Sequence, residues 1–551
     1  MLSGQGRSGL STRWIATFVL AAIPLLGWWL YGLFDVDEGY YGAVVAEMNG
    51  RHEWITPFYN GHPWFEKPIL LYWLAKPAVM ALGPWVGARL PSAFCTMGLF
   101  GVVAWAGARR SSPLTGQLAA LVLASSVLVV GVGRMMMPDA ALVLFLSWSL
   151  LLLCEGLSGD GRKVVWSGVM LGLAVLAKGP VALAIALLVL GVFVWLEPGL
   201  RPRFRWPWMG AILAFAVVVC SWYLPAYLAN RQSFVQGFLI EQNLRRFSGG
   251  DEAHSIGWIG LLLYPLVLLV GMFPWSLWGP RALAAALARR KPGWHEAVPG
   301  IGPFQRFLAI WVVVAFLLFS LAGAKLPHYI LPCCPPLALL IGERLARSRV
   351  ARAGTTERAP PVEGDRAGRS TIESTPLPIS DLPGFVVATL AVALVAHFGM
   401  SAWYVRSGQA ELHAYARYLR EQGGDVALYQ MPRRQQSRGT LGASLQETSQ
   451  PSTLLYLGRG ALEAERFDQL ASAPHPLWIL TRPGRLEPSD FRDAFKRGLS
   501  LQPADVGDER SHYALYRLFE LPKGTAGINA HPLPPGSRPP YVPHPRPLPK
   551  D

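Results

Sequence analysis

The chain has 551 residues, of which 52% are hydrophobic and only 15% are charged, and its formal net charge is +15. Soluble proteins carry about 25% charged residues, so this composition excludes a disordered chain or a purely soluble enzyme and favours a helical protein that crosses the membrane many times. A strongly basic balance is typical of nucleic-acid binding or of Lys and Arg on the cytoplasmic side of a membrane, and the positions of the charges decide between the two.

Long apolar runs predict the membrane spans. The first run, 14–34, follows Arg7 and Arg13, but it is longer than the core of a signal peptide and has no small-residue cleavage site, so we expect a retained first helix. The other candidate spans are 85–107, 114–132, 139–156, 164–177, 180–196, 208–229, 257–278, 304–323, 327–343 and 383–404. The shorter segment 69–82 is either a further helix or one lying in the interface, which gives about eleven to thirteen helices.

The basic residues predict the orientation of these spans. With the N-terminus inside, the turns expected in the cytoplasm contain Arg109, Arg110, Arg162, Lys163, Arg201, Arg203, Arg205, Arg281, Arg289, Arg290, Lys291 and the stretch from Arg344. This alternation follows the positive-inside rule and accounts for much of the net charge. No basic stripe interleaved with aromatic residues occurs, so no nucleic-acid partner is predicted. The opposite side then carries 35–68, 133–138, 230–256, the turns at Lys178 and Lys325, and everything after about 404.

Composition also divides the chain into domains. Residues 1–404 form the predicted transmembrane domain, with a polar cytoplasmic linker at 344–382. Residues 405–521 read as a small soluble α/β domain, in which 426–429, 453–457 and 477–480 are strand-like and 411–421 and 462–471 are helix-like. The Pro-rich tail 522–551 is expected to be disordered. The cysteines lie in apolar stretches without the spacing of a zinc site or a disulfide framework: Cys95, Cys154, Cys220, Cys333 and Cys334.

Ionisable residues concentrate on the side opposite the cytoplasm. The first outer loop begins with Asp35, Asp37 and Glu38 directly after a span, and it ends with Glu66 and Lys67 among aromatic residues. Carboxylates are costly in lipid, so these groups should face water or a cavity. A Lys in such an aromatic setting suits the phosphate of a lipid.

Further charged groups recur at the outer helix ends. Arg134 and Asp139 bracket a short turn, Lys178 precedes a Gly-Pro break, and Lys325 opens a segment that contains Tyr329. Each one alone is compatible with turn formation or with a side chain reaching the interface. Together, cations and carboxylates that converge at one membrane face predict a site for a phosphate-linked lipid substrate.

An ordered set of short motifs carries a family resemblance. The set is Asp-Glu at 37–38, Phe-Glu-Lys-Pro at 65–68, Arg-Leu-Pro-Ser at 89–92, Pro-Asp-Ala at 138–140, Ala-Lys-Gly-Pro at 177–180, Glu-x-Asn-Leu-x-Arg-Phe at 241–247 and Lys-Leu-Pro-x-Tyr-Ile-Leu-Pro at 325–332. Over about 14–345 the chain resembles the aminoarabinose transferases that modify lipid A and the related protein O-mannosyltransferases. Both belong to the polyprenyl-phosphate-dependent glycosyltransferases of GT-C fold.

The resemblance implies a multi-pass enzyme of the bacterial inner membrane with its active site and C-terminal domain on the periplasmic side. It implies an all-α GT-C membrane domain, a polyprenyl-phosphate-linked sugar as donor, and a lipid, a protein or a glycan as acceptor. Asp37, Glu38 and Asp139 would be the catalytic residues, all three of them carboxylates. The predicted substrate-binding residues are Glu66, Lys67, Tyr40, Arg134, Lys178, Arg246, Lys325 and Tyr329. Tyr40 stands where the aminoarabinose transferases usually have an Arg, which leaves the identity of the substrates open.

Transfer is expected to be a single inverting displacement, with Asp37 as general base for a hydroxyl acceptor or as a sugar-orienting group for a phosphate acceptor. Glu66 and His254 could share a divalent cation, although two candidate ligands are a weak signature and no cofactor is firmly predicted. A transporter or lipid flippase is the alternative function. A third is a membrane-anchored scaffold whose working part is the α/β domain.

Overall fold

A computed structural model describes residues 4–35, 37–157, 159–197, 206–238, 240, 262–288, 302–323, 325–356, 383–431, 450–505 and 511–522. The helices are α1 (Gly4–Ala22), α2 (Asp37–Gly50), α3 (Leu70–Gly87), α4 (Leu90–Arg110), α5 (Pro113–Ala124), α6 (Val127–Gly133), α7 (Pro138–Gly156), α8 (Gly161–Lys178), α9 (Val181–Leu196), α10 (Trp206–Phe234), α11 (Leu263–Gly271), α12 (Gly279–Leu287), α13 (Pro303–Leu321), α14 (Cys334–Thr356), α15 (Pro383–Leu394), α16 (Met400–Arg406), α17 (Gln409–Gln422), α18 (Ser452–Leu457), α19 (Phe467–Ala471) and α20 (Pro488–Lys496). The strands are β1 (Phe58–Tyr59), β2 (His62–Pro63), β3 (Asp425–Tyr429), β4 (Leu462–Ala464), β5 (Leu477–Thr481), β6 (Leu499–Asp505) and β7 (Ala514–Glu520).

The membrane part is a helical bundle. Within the described residues, seven helices are long and apolar enough to cross a bilayer, or eight if α5 and α6, which meet at a 70° bend, form one broken span. The seven are Thr12–Leu30, Leu90–Arg110, Pro138–Gly156, Trp206–Phe238, Pro303–Leu321, Pro327–Ser348 and Gly384–Arg406. The helical membrane class predicted from the apolar runs is therefore confirmed.

The number of spanning helices is smaller by this measure than the predicted eleven to thirteen. The predicted span 180–196 is a helix of 16 residues, which is short for a bilayer. The predicted span 257–278 contains the nine-residue helix α11, and its first residues lie outside the described part. The segment 69–82 belongs to α3, an 18-residue helix that is broken at Gly83, where φ is 75°. A run of apolar residues thus identifies a helix but does not fix where it bends or stops.

Helix ends in the bundle follow local chemistry. Pro138 occupies the first turn of α7 together with Asp139, a position where the missing N–H of Pro is harmless and a carboxylate meets the positive end of the helix dipole. Helix α8 ends at Lys178, and Gly179 follows with φ of 87°, which ordinary side chains rarely adopt. These signals place Asp139 and Lys178 at the same end of two neighbouring antiparallel helices.

Small residues bring the helices close together. A Cβ on Gly168 of α8 would lie 2.2 Å from the carbonyl oxygen of Ala211 in α10, and one on Gly116 of α5 would lie 2.2 Å from that of Ala104 in α4. Close backbone approach of this kind is how helices associate in lipid, where burial of apolar surface gives no advantage. The packed bundle holds the helix ends in fixed relative positions.

The C-terminal part is a mixed α/β domain. Its five-stranded sheet has the order β4-β3-β5-β7-β6, with β3 parallel to β4 and β5, and with β7 antiparallel to β5 and β6. The predicted strands 426–429 and 477–480 and the predicted helix 411–421 are present as β3, β5 and α17.

Three sequence-based assignments differ from the structure. Residues 453–457 form helix α18 instead of a strand, because every residue of this short apolar run is buried and periodicity cannot separate the two states. Residues 462–471 begin as strand β4 and become helical only from Phe467. Helix α14 continues to Thr356, into the predicted linker.

Candidate active site

The first turn of α2 carries the two predicted acidic residues Asp37 and Glu38. Glu38 is fully buried. Arg89 donates to both of its carboxylate oxygens, from Nε to Oε1 at 2.8 Å and from Nη2 to Oε2 at 2.7 Å. The backbone amides of Phe34 (2.9 Å) and Met136 (2.5 Å) also donate to this carboxylate. These contacts hold α2 against α4 and against the turn before α7, so Glu38 has a structural role.

Asp37 contrasts with its neighbour. It is half-buried, and within the described part of the chain it makes no hydrogen bond or ion pair. Its charge acts on Tyr41, one helical turn further along α2, and on His328. Asp37 is thus the carboxylate of this turn that remains available to a substrate.

Tyr41 was missed from the sequence, although its spacing of four residues from Asp37 puts both on one helix face. Burial, reinforced by the carboxylates of Asp37 and Glu66, raises the pKa of Tyr41 well above its usual value. The phenol therefore stays protonated and can donate a hydrogen bond into the site.

A second group of charges lies where α7, α8 and the segment before α14 meet. Lys178 Nζ is 2.5 Å from Asp139 Oδ1 and 4.3 Å from the centre of the Tyr329 ring. His328 Nε2 is 3.9 Å from Asp139 Oδ2, and that buried oxygen has no hydrogen-bond partner among the described residues. His328 lies between Lys325 and Tyr329 in the motif at 325–332, but the motif does not single it out as a site residue.

The end of the first outer loop reaches the same region. Lys67 Nζ lies 3.5 Å from Glu66 Oε1, and both side chains are largely buried. The charge of Lys67 acts on Asp139 and on His328. The structure therefore brings Asp37, Lys67, Asp139, Lys178 and Tyr329 into one electrostatic cluster.

Arg134 has a different setting. Its guanidinium is fully buried and donates to the carbonyls of Pro24 (2.9 Å), Leu26 (2.5 Å) and Gly27 (3.0 Å) and to the Tyr31 hydroxyl (3.1 Å). These carbonyls lie in and between two short 3₁₀ helices, Ile23–Leu25 and Trp28–Leu30, that follow α1. This geometry favours a structural role over the predicted substrate contact.

Tyr40 and Lys325 also have structural partners. The Tyr40 ring is buried and stacks on Trp64 with centroids 5.2 Å apart, and Tyr59 packs against both rings. Lys325 Nζ donates to the carbonyl of Ala322 at 2.5 Å. Neither side chain is aimed at the charged cluster by these contacts.

The predicted metal pair cannot be assembled from the described residues. His254 of this pair lies outside them. Arg246, which was predicted to bind the substrate, also lies outside the described residues. Among the residues that are described, no group of three or more His, Cys, Asp and Glu side chains is arranged to hold an ion. Glu66 has the ammonium of Lys67 beside it, which is an unfavourable neighbour for a cation.

Asp35 is a further residue of this region, and the sequence alone does not identify it as part of the site. Ser452 of the C-terminal domain donates to it twice, from its backbone N to Oδ1 (2.8 Å) and from its hydroxyl to Oδ2 (2.6 Å). Burial and, to a smaller extent, the nearby Glu38 charge raise the pKa of Asp35 to about 7, although the Ser452 hydrogen bonds oppose the shift. No sequence signal joins these two residues, which are 417 positions apart.

Known proteins share this arrangement of helices. A family model described as dolichyl-phosphate-mannose-protein mannosyltransferase matches residues 66–223. The structure superimposes on that of ArnT from Cupriavidus metallidurans bound to undecaprenyl phosphate with a TM-score of 0.66, at 18% sequence identity, over 92% of this chain and 98% of that chain. This chain therefore has the fold of that ArnT structure.

Sequence relatives support the same family resemblance. The undecaprenyl phosphate-alpha-4-amino-4-deoxy-L-arabinose arabinosyl transferase of Pseudomonas paraeruginosa is 31% identical over 330 residues, which are 58% of this chain and 56% of that protein. The enzyme of the same name from Edwardsiella ictaluri is 29% identical over 335 residues, 57% of this chain and 56% of that protein. The matched region thus spans just over half the length of these curated relatives. The resemblance to aminoarabinose transferases and protein mannosyltransferases that the motifs predicted is confirmed.

Proposed function

We propose that this GT-C protein is an integral membrane glycosyltransferase that moves a sugar from a polyprenyl-phosphate donor to an acceptor in a single inverting displacement. The observation that carries the proposal is the charged cluster. The available carboxylate Asp37 lies in the same electrostatic field as the cations Lys67 and Lys178. Glycosyl transfer from a lipid phosphate needs both kinds of group, a carboxylate for the incoming nucleophile and cations for the departing phosphate.

The reaction follows from these positions. The acceptor oxygen attacks the anomeric carbon as the bond from that carbon to the phosphate oxygen breaks, and the electron pair leaves with the polyprenyl phosphate. Lys67, assisted by Lys178, stabilises the charge that develops on the phosphate. Asp37 accepts the proton of a hydroxyl acceptor, or orients the sugar if the acceptor is a phosphate that has no proton to lose. The configuration at the anomeric carbon of the sugar is inverted.

The names of the relatives support a choice of substrates to test first. Their names specify undecaprenyl phosphate and 4-amino-4-deoxy-L-arabinose, so this donor is the first to test, with lipid A as the first acceptor. A protein or a glycan remains an alternative acceptor. The relatives are named as transferases, which favours transfer over the transporter or flippase function. We propose that the phosphate charge is met by lysines and that no metal is required.

We propose an inner-membrane location with the site on the periplasmic face. Glu155, at the far end of α7 from Asp139, pairs with Arg109 (3.1 Å) and with Lys163, both from turns predicted to be cytoplasmic. The C-terminal domain contacts Asp35, so it lies on the same side of the bundle as Asp37. The positive-inside rule supports a periplasmic position for both.

A transfer assay tests the function. The purified full chain is incubated with undecaprenyl-phosphate aminoarabinose and lipid A, and mass spectrometry of the acceptor is expected to reveal the addition of one aminopentose. EDTA is expected to leave the rate unchanged. Hexose-loaded polyprenyl phosphates and protein acceptors form the second arm. Failure with every donor, accompanied by movement of labelled lipid across proteoliposomes, would support the flippase alternative.

Lys67→Ala is expected to weaken donor binding. A charged hydrogen bond to phosphate contributes about 1.5–3 kcal/mol, so the donor KM should rise about 10- to 100-fold. The control is Arg51→Ala, which removes a cation of the same loop that pairs with Glu47 on the surface. An unchanged donor KM and rate for Lys67→Ala would remove this residue from the phosphate site.

A further inference from the structure

Two carboxylates flank Asp37, and each is fixed to a different part of the molecule. Glu38 is held by Arg89 within the membrane bundle. Asp35 is held by Ser452, the first residue of α18 in the C-terminal domain. The turn that carries Asp37 is therefore clamped from both sides, and one of the two clamps comes from outside the membrane domain.

The outer clamp continues into the C-terminal domain as a chain of hydrogen bonds. His413 Nε2 is 2.7 Å from the Ser452 hydroxyl oxygen, and His413 Nδ1 is 2.8 Å from the Tyr404 hydroxyl. Burial, together with the charges of Arg89 and Arg417, lowers the pKa of His413 well below its usual value. The neutral ring then donates from Nε2 to Ser452 and accepts at Nδ1 from Tyr404. Each of these hydrogen-bonded side chains therefore has a partner.

This chain of groups has no access to a substrate. Ser452 and His413 are fully buried, and Tyr404 is nearly so. A hydroxyl beside an imidazole could otherwise suggest a nucleophile, but Ser452 already donates its proton to Asp35. The arrangement therefore acts through the position of Asp35.

Glycines allow α18 to lie directly on α2. A Cβ on Gly39 would lie 2.0 Å from Asp35 Oδ1 and 2.6 Å from the backbone nitrogen of Ser452. A Cβ on Gly42, one turn later, would lie 2.9 Å from Leu455 Cδ2. The two helices can approach this closely only because Gly39 and Gly42 have no side chains. The close contact therefore extends over one turn of α2.

We infer that the C-terminal domain is part of the catalytic apparatus, and that Asp35, Ser452 and His413 are positioning residues that hold Asp37 in place for transfer. The inference rests on the proposed function. Asp37 lies two residues from Asp35 and two from Gly39, so a rotation of this turn displaces its carboxylate directly. Displacements of about 1 Å can cost a hundredfold in rate.

The experiment compares Ser452→Ala, Asp35→Ala and Asp35→Asn in the full-length protein. The two Ala variants are expected to lower kcat at least about 10-fold while the donor KM changes less than about 2-fold, because the phosphate site is left intact. Asp35→Asn is expected to retain most of the activity. Its amide oxygen still accepts from the Ser452 backbone, and its amide nitrogen can donate to the Ser452 hydroxyl if the chain through His413 reverses direction.

The matched control is Ser489→Ala, since this hydroxyl belongs to the same domain and donates to Glu487 at 3.4 Å. A second readout does not depend on activity. Hydrogen exchange of the amides at 37–45 should be faster in Ser452→Ala than in the wild type or in Ser489→Ala. If Asp35→Ala does not fold, Ser452→Ala, which removes only a hydroxyl, carries the test.

Unchanged kcat and unchanged exchange in Ser452→Ala would overturn the inference. Equal losses in Asp35→Asn and Asp35→Ala would overturn it as well, because the charge of Asp35 and not its hydrogen bonding would then be required. A wild-type protein that transfers no sugar contradicts the proposed function instead, and the exchange measurement still decides whether the C-terminal domain holds α2.

Discussion

Replacing Asp37 by Asn is expected to lower kcat by about 10²- to 10⁴-fold with a hydroxyl acceptor, the range for loss of a general base. The reason is that the other two carboxylates of this turn are already occupied. Glu38 is bound by Arg89 and Asp35 by Ser452. Asp37 alone remains to accept a proton. The measurement is single-turnover transfer from the lipid-linked sugar, with donor binding followed separately.

The acceptor decides how large this loss should be. With a phosphate acceptor there is no proton to remove, and Asp37→Asn should lose only the part that comes from orienting the sugar. Asp160→Asn serves as the control, because this exposed carboxylate pairs with Lys163 (3.3 Å) at the opposite end of the bundle. Near-normal activity of Asp37→Asn on a hydroxyl acceptor would defeat the base assignment.

Glu38→Ala is expected to destabilise the protein by about 3–5 kcal/mol, because it leaves the Arg89 guanidinium buried without its counter-charge. Arg89 is 1% exposed and also donates to the carbonyls of Tyr31 (2.7 Å) and Gly32 (2.7 Å), so it cannot turn towards water. Thermal unfolding in detergent measures the effect. Lys496→Ala, which breaks an exposed pair with Asp493 (3.4 Å), should change the free energy of unfolding by at most about 1 kcal/mol.

The milder Glu38→Gln variant separates structure from chemistry. If Glu38 serves only to hold α2, its activity loss should follow its loss of stability and recover at lower temperature. A Glu38→Gln protein as stable as the wild type but with strongly reduced kcat would instead support the catalytic role that the family resemblance implies for this residue.

The sequence predicted much of the candidate site because membrane topology is simple. Asp139 begins the predicted span 139–156 and Lys178 follows the predicted span 164–177, so an antiparallel pair must bring them to the same face although they are 39 positions apart. Tyr329 follows from the same rule, since it lies near the start of the span Pro327–Ser348. Lys67 belongs to the first outer loop, which is predicted on that face. Periodic apolar runs fix the sides of the membrane, and charges at helix ends are then sorted by side.

The roles of individual residues could not be predicted in this way. Asp37 and Glu38 are adjacent carboxylates, and nothing in their identity reveals that Glu38 turns inward to Arg89, 51 positions away. Arg134 resembled a substrate cation because the carbonyls that it binds lie in and between the two short 3₁₀ helices after α1, and backbone carbonyls leave no residue pattern. The Asp35 contact with Ser452 depends on how two domains pack, which local sequence does not encode.

The hairpin of α7 and α8 is tied at both ends by charged pairs. Asp139 binds Lys178 at one end and Glu155 binds Lys163 at the other. The two carboxylates are 16 residues apart on α7, which is about 24 Å of helix. Two ties at this separation prevent one helix from sliding along the other. In bilayers of different thickness the hairpin must therefore keep its length and tilt as a unit, and the lipids around it must adjust. A single-residue insertion into either helix would rotate one tie by about 100° and break the register of the whole hairpin.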